Sequence, residues 1–209
     1  MCWNAEVSIA AFIIGLFTTI IVSIIAVKQK KPYLVALSLG WMWVICMQLF
    51  EFFIWRNQQI PSESNTFYSR WAYIFNVTQV IVLALLFLTL FDNYPKRNRY
   101  AATIILFGYI LYLLYNSPKN MNVKGGGCGT PHLQYSWWDE LPMGSTVYLV
   151  SLLLIFILIV RPFYWSVATL GLIMSFLGIS WVFYSKSVAS MWCFFAVIVP
   201  LCSLFVSHL

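Results

Sequence analysis

Residues 7 to 27 read VSIAAFIIGLFTTIIVSIIAV, 21 positions without a charge. At about 1.5 Å of rise per residue a helix of this length covers about 30 Å, the thickness of a bilayer's hydrocarbon core. Lys28, Lys30, Lys31 and Pro32 close the run. Outward from it the pattern repeats. Tyr33 to Trp55 is a second apolar run, Trp71 to Phe91 a third, Tyr100 to Tyr115 a shorter fourth, Gly144 to Val160 a fifth, Phe163 to Tyr184 a sixth and Val188 to Val206 a seventh. The breaks between them are short and polar, except for one long loop from Asn116 to Pro142. The expectation is an all-α integral membrane bundle of seven helices, a single transmembrane domain over residues 1–209.

Composition agrees. Of 209 residues, 62% are hydrophobic and only 9% charged, whereas an ordinary soluble domain carries about a quarter charged residues. Seven spans use most of the chain and leave no room for a soluble domain, which excludes a nucleotide-binding fold and a soluble hydrolase. The net charge of +6 suits cytoplasmic loops beside anionic headgroups rather than nucleic acid. The partners this reading implies are the lipid bilayer, a small solute or ion, and a homo-oligomer, with no nucleic acid. It does not choose among plasma membrane, endomembrane and virion membrane. Met1 to Glu6 carries no basic segment, so the first helix is expected to insert as its own signal-anchor.

Orientation follows from Lys and Arg. Lys28, Lys30, Lys31, Lys96, Arg97, Arg99 and Arg161 fall on one side. Arg56, Arg70, Lys119, Lys124 and Lys186 fall on the other, diluted over longer loops with Glu6, Glu63, Asp139 and Glu140. Seven against five puts the N-terminus and the 116–142 loop outside and the C-terminus inside. Seven spans invite comparison with familiar classes. A retinal protein needs a Schiff-base Lys in its last helix, and Val188 to Val206 has none, so retinal is excluded. The motifs of a G-protein-coupled receptor do not match around Phe91, Asp92 and Asn93 or around Val199, Pro200 and Leu201. A seven-helix zinc hydrolase needs a His pair at i and i+4 in the last helix, and only His208 is there.

Polar residues cluster at the outer helix ends. Counting inward at 1.5 Å per residue puts Gln48 and Glu51 at a depth of about 6–11 Å, level with Asn76, Gln79, Ser180, Tyr184 and Cys193. Gln48, Glu51 and Trp55 share one helix face, as do Asn76 with Gln79 and Ser180 with Tyr184. Such residues normally face the bundle interior or water, so the expectation is an outward-opening polar vestibule. Glu51 is the only carboxylate well inside a span. It reads either as a solute, proton or cation contact beside Gln48, Asn76 or His132, or as an interfacial group paired with Arg56 or Arg70. Thr18, Thr19 and Ser23 are the only polar continuation inward. Pro200 is expected to kink the last helix by removing its bond to Ala196.

Cys46 and Cys202 read as packing residues. Cys2, Cys128 and Cys193 lie toward the outer side, where Cys2 with Cys128 is the favoured disulfide. The competing reading is a thiolate and imidazole metal site drawn from Cys2, His132, Cys193 and Glu51.

The opening Met1, Cys2, Trp3, Asn4, Ala5 resembles the Met-Cys-(Phe or Trp)-Ser-Ala start of a family of small multi-pass membrane proteins of bacteria, fungi, algae and large algal DNA viruses. Gln48, Glu51 and Trp55 resemble its Gln-x-x-Glu-Gly-x-x-Trp segment, His132 to Tyr135 its loop His with a nearby aromatic, and Ser190, Trp192, Cys193, Phe194 and Phe195 its Ser-x-Trp-Cys-Phe-x-Ala ending. Asn4 stands where the family has Ser, and Phe52 where it has Gly. The resemblance implies a shared fold and a common outer site, adding Tyr135 and Trp192 to the ligand-facing set, and names no reaction. Three functions stay open: solute binding or transport, a metal- or thiol-dependent membrane enzyme, and a structural or assembly protein of a cell or virion membrane.

Overall fold

The computed structural model describes residues 4–58, 62–90, 94–119, 121, 123–125, 133–160, 163–183, 188–200 and 202. The protein is nearly all helical. Helices α1 (Ala5–Lys28) and α2 (Pro32–Arg56) form an antiparallel pair, followed by α3 (Glu63–Val77), α4 (Gln79–Leu90) and α5 (Lys96–Tyr115). A small antiparallel hairpin of β1 (Val123–Gly125) and β2 (Leu133–Tyr135) comes next, pairing Val123 with Tyr135. The chain ends in α6 (Trp137–Glu140), α7 (Gly144–Ile159), α8 (Phe163–Phe183) and α9 (Val188–Ala196).

Each boundary has a local cause. Asn4 caps α1 by accepting the Val7 N–H at 3.0 Å. The turn after α1 is closed by Lys31 N–H to the Ala26 carbonyl and Lys30 N–H to that of Val27. This requires left-handed backbone at Lys30 (φ 54°), the arrangement in which helices commonly stop. Pro32 then starts α2, where its missing N–H costs nothing. The buried face of α1 is a ladder of small residues that includes Ala11, Gly15 and Thr19. A Cβ at Gly15 would lie 2.9 Å from Ile45 of α2, so the two helices touch through the missing side chain, as tightly packed membrane helices do. Thr19 bonds back to the Gly15 carbonyl, and Ser23 pairs with Ser38 of α2 at 2.8 Å. The Ser23–Ser38 pair locks α1 to α2.

Among the described residues α1, α2 and the Ser166–Phe183 part of α8 are long and apolar enough to cross a membrane, and α3 with α4 add a fourth crossing if that pair is one span. α7 is apolar but shorter. The outward face of α1 exposes Ile13, Ile14, Phe17, Ile20, Ile21, Ile24 and Val27. A water-facing surface does not tolerate such a stripe, whereas acyl chains do.

Two elements differ from the sequence expectation. The expected third span, Trp71 to Phe91, is a pair of helices bent by 45° at Thr78. It also begins earlier, because the Ser62 hydroxyl caps α3 by accepting the Asn65 N–H and draws part of the expected polar loop into the helix. The expected seventh span, Val188 to Val206, is helical at Val199, Pro200 and Cys202 as well, but is interrupted where α9 ends at Ala196. There Val197 and Ile198 turn their N–H groups to the carbonyls three residues back, four residues short of the Pro200 ring.

The main core lies between α2, α4, α5, α7 and α8 around Leu37, Phe87, Phe156 and Ile155. A second core joins the hairpin segment to the bundle: Val123, Leu133, Tyr135 and Trp137 pack with Met47, Ile54, Tyr73 and Cys193. Asn65, fully buried in α3, pins the hairpin by donating to the Val123 carbonyl at 3.2 Å and accepting its N–H at 3.4 Å.

Candidate functional site

Glu51 sits in the last two turns of α2 and is 3% exposed. Gln48, one turn earlier, donates its amide N–H to Oε2 at 3.1 Å. The Tyr135 hydroxyl, brought in by β2, donates to Oε1. The Ser190 hydroxyl at the start of α9 is hydrogen-bonded to both Glu51 and Tyr135. Burial and the neighbouring Glu51 push the Tyr135 phenol well above its usual range, so it stays protonated and serves as a donor. Arg56 and Arg70 are exposed and are not among the groups around the carboxyl. Glu51 turns into the protein rather than out to the interface. Beside it lies a void of about 10 Å³ walled by Ser8, Gln48, Glu51, Trp55, Ser190, Met191 and Phe194.

A second polar group lies across Cys193. The Asn76 amide donates to its Sγ at 3.8 Å, and Tyr148 of α7 donates to the Gln79 amide oxygen at 2.5 Å. Asn76 closes α3 and Gln79 opens α4, so the two sit on either side of the helix break and not on one continuous face. The break is held from both flanks: Trp43 donates to the Thr78 hydroxyl at 3.0 Å and Tyr109 to the Val77 carbonyl at 2.8 Å. Broken helices that present polar groups within a membrane protein are tolerated where neighbours satisfy the freed backbone. A cavity of about 20 Å³ lies against Gln79, Trp41, Tyr148, Trp192 and Cys193. The Gln79 amide is hydrogen-bonded to Cys193, the Trp41 indole N–H has no partner among the described residues, and the space suits about one water.

Outside these groups is a groove of about 730 Å³. Its aromatic walls are Tyr135, Trp138, Tyr148, Trp181 and Trp192, with the Asp139 carboxylate among the lining groups. Trp138, Tyr148 and Trp192 stand edge to face in sequence, each pair 5.5 Å between ring centroids. Tyr148 and Trp192 therefore line both the groove and the inner cavity, and Tyr135 links the groove to Glu51.

The structure thus gathers Gln48, Glu51, Trp55, Tyr135 and Cys193 at one end of the bundle, with Asn76, Gln79 and Trp192 alongside. Tyr184, His132, Cys2 and Cys128 lie outside the described residues, and with them the Cys2–Cys128 pairing and two of the four suggested metal ligands. Ser180 bonds back to Phe176 within its own helix and takes no part. Sequence reasoning missed Ser8, Tyr148 and Trp138, and did not separate Ser190 from its motif. Tyr148 and Trp138 carry no signal that distinguishes them from interfacial aromatics. Ser190 stands one helical turn before Cys193, which placed it on the same face. Compared with protein-family models, curated proteins and solved structures, the chain matches none of them.

Proposed function

We propose that the chain is a multi-pass membrane protein of seven spans, N-terminus outside, whose outward-facing groove binds a small cationic solute for uptake or sensing. Counting α3 with α4 as one, the proposed seven are α1, α2, α3 with α4, α5, α7, α8 and the run Val188 to Val206 that α9 opens. The observation that carries the reading is the groove itself. Its volume of about 730 Å³ falls in the range of small-molecule sites, about 300–1,000 Å³. Its walls offer five aromatic rings and a carboxylate, the surroundings in which a desolvated ammonium group is attracted by about 2 kcal/mol per well-placed ring. The resemblance supports an outer site here through Tyr135 and Trp192, which both line the groove.

Calorimetric titration of the purified protein tests this. A quaternary ammonium compound is expected to bind, and the uncharged compound of the same shape, with carbon in place of nitrogen, to bind at least tenfold more weakly. Trp138→Ala is expected to weaken the ammonium by a similar factor. Equal binding of the two compounds removes the cationic assignment, and binding of neither removes the solute.

A further inference from the structure

Glu51 is a carboxylate enclosed by protein, and its neighbours treat it as an anion. Gln48 and Tyr135 both donate to it, one to each oxygen, and the Ser190 hydroxyl adds a third bond. An isolated buried carboxylate is far more costly than any neutral polar group, and proteins offset it with a cation or with a proton. Among the described residues no Lys, Arg or His takes that part. The groove is not the answer either, because Tyr135 stands between it and the carboxyl. What does adjoin Glu51 is the void of about 10 Å³. Its walls include oxygen-bearing side chains from three helices, Ser8 of α1, Gln48 of α2 and Ser190 of α9, together with Trp55, Met191 and Phe194.

We propose that this void is a binding site for a single monovalent alkali cation of sodium size, anchored by Glu51 and completed by oxygens of Ser8, Gln48 and Ser190. The Gln48 amide is suited to this: its nitrogen is committed to Glu51, which leaves its carbonyl oxygen for the ion. Charge selects the valence. One carboxylate balances one positive charge, whereas a divalent ion would leave a net buried charge and asks for six or more oxygens. Volume selects the size. A space at the lower limit for one water excludes an organic ammonium and a caesium ion. The ligands come from three helices, so the bound ion ties α1, α2 and α9 together at the end where the groove opens. This site is separate from the solute reading and stands without it.

The test is thermal unfolding of the full-length protein in detergent, titrated with sodium chloride against caesium chloride at constant ionic strength. Sodium is expected to raise Tm by a few degrees in a saturable way, as a ligand that binds only the folded state must, and caesium is not. Glu51→Gln is expected to abolish the sodium response. Ser190→Ala, which keeps the carboxylate and serves if the first variant does not fold, is expected to raise the half-saturating sodium concentration on the order of tenfold. Identical Tm values in the two salts overturn the site, as does a sodium response that survives Glu51→Gln or is unmoved by Ser190→Ala. A Tm that follows pH and ignores the identity of the salt assigns the counter-charge to a proton and equally overturns it.

Discussion

Tyr135 joins two environments: its ring lines the groove while its hydroxyl is bound to Glu51. Tyr135→Phe keeps the ring and removes the donor. A hydrogen bond to a charged group contributes about 1.5–3 kcal/mol, so this variant is expected to unfold with a loss of that order, measured by thermal or denaturant unfolding in detergent. Its solute binding is expected to change little, since the ring stays in place. A loss below about 0.5 kcal/mol, the scatter of neutral surface changes, contradicts a buried carboxylate that depends on this donor. Gln48 and Glu51 were legible in the sequence because two polar residues three apart in an apolar run leave the bundle interior as their only economical place. The spacing of Ser190 from Cys193 was a signal left unused, but Tyr148 and Trp138 were not legible, because an aromatic in a membrane helix or in a loop beside one is equally at home at the lipid boundary. Which of the two applies depends on neighbours far away in the chain.

At the level of elements, the break at Thr78 is the feature the sequence hid. No Pro or Gly marks residues 74–80, and apolar continuity from Trp71 to Phe91 predicted one helix. The bend arises instead from side chains that compete for the backbone. The Thr78 hydroxyl bonds back to the Ile74 carbonyl at 2.5 Å, a contact that bends helices. Tyr109 takes the Val77 carbonyl. Tyr109→Phe is expected to cost about 0.5–1.5 kcal/mol and to speed amide hydrogen exchange at residues 78–82 more than elsewhere in α4. A uniform change along α4, or none, separates the bend from Tyr109. The interruption after Ala196 was closer to legible, since Pro200 cannot return an N–H to Ala196, and the helix resumes at Val199. The α1–α2 pair was readable almost to the residue, because its charges, its proline and its apolar length all point the same way.

For the whole molecule the open question is how many times the chain crosses, and α3 with α4 decides it. Their 28 residues, Glu63 to Leu90, would span about 42 Å as a straight helix, more than a bilayer core requires. The 45° bend is therefore compatible with one tilted crossing or with a segment that enters and leaves on the same side. The two differ in where exposed Glu63 and Lys96 lie. In the proposed seven-span arrangement Glu63 and Lys119 are outside and Lys30 and Lys96 inside, as the basic loops demand. Single variants Lys30→Cys, Glu63→Cys, Lys96→Cys and Lys119→Cys, treated on intact cells with an impermeant thiol reagent and compared with the parent protein, read this directly. Labelling is expected above the parent level for Glu63→Cys and Lys119→Cys, and for Lys30→Cys and Lys96→Cys only after permeabilisation. The reverse pattern inverts the orientation while keeping the alternation. If Glu63→Cys and Lys96→Cys label from the same side, α3 and α4 do not cross. The span count then falls to six, which puts the hairpin on the side opposite the N-terminus and away from the α2 end where Tyr135 meets Glu51, so that outcome contradicts the fold as well.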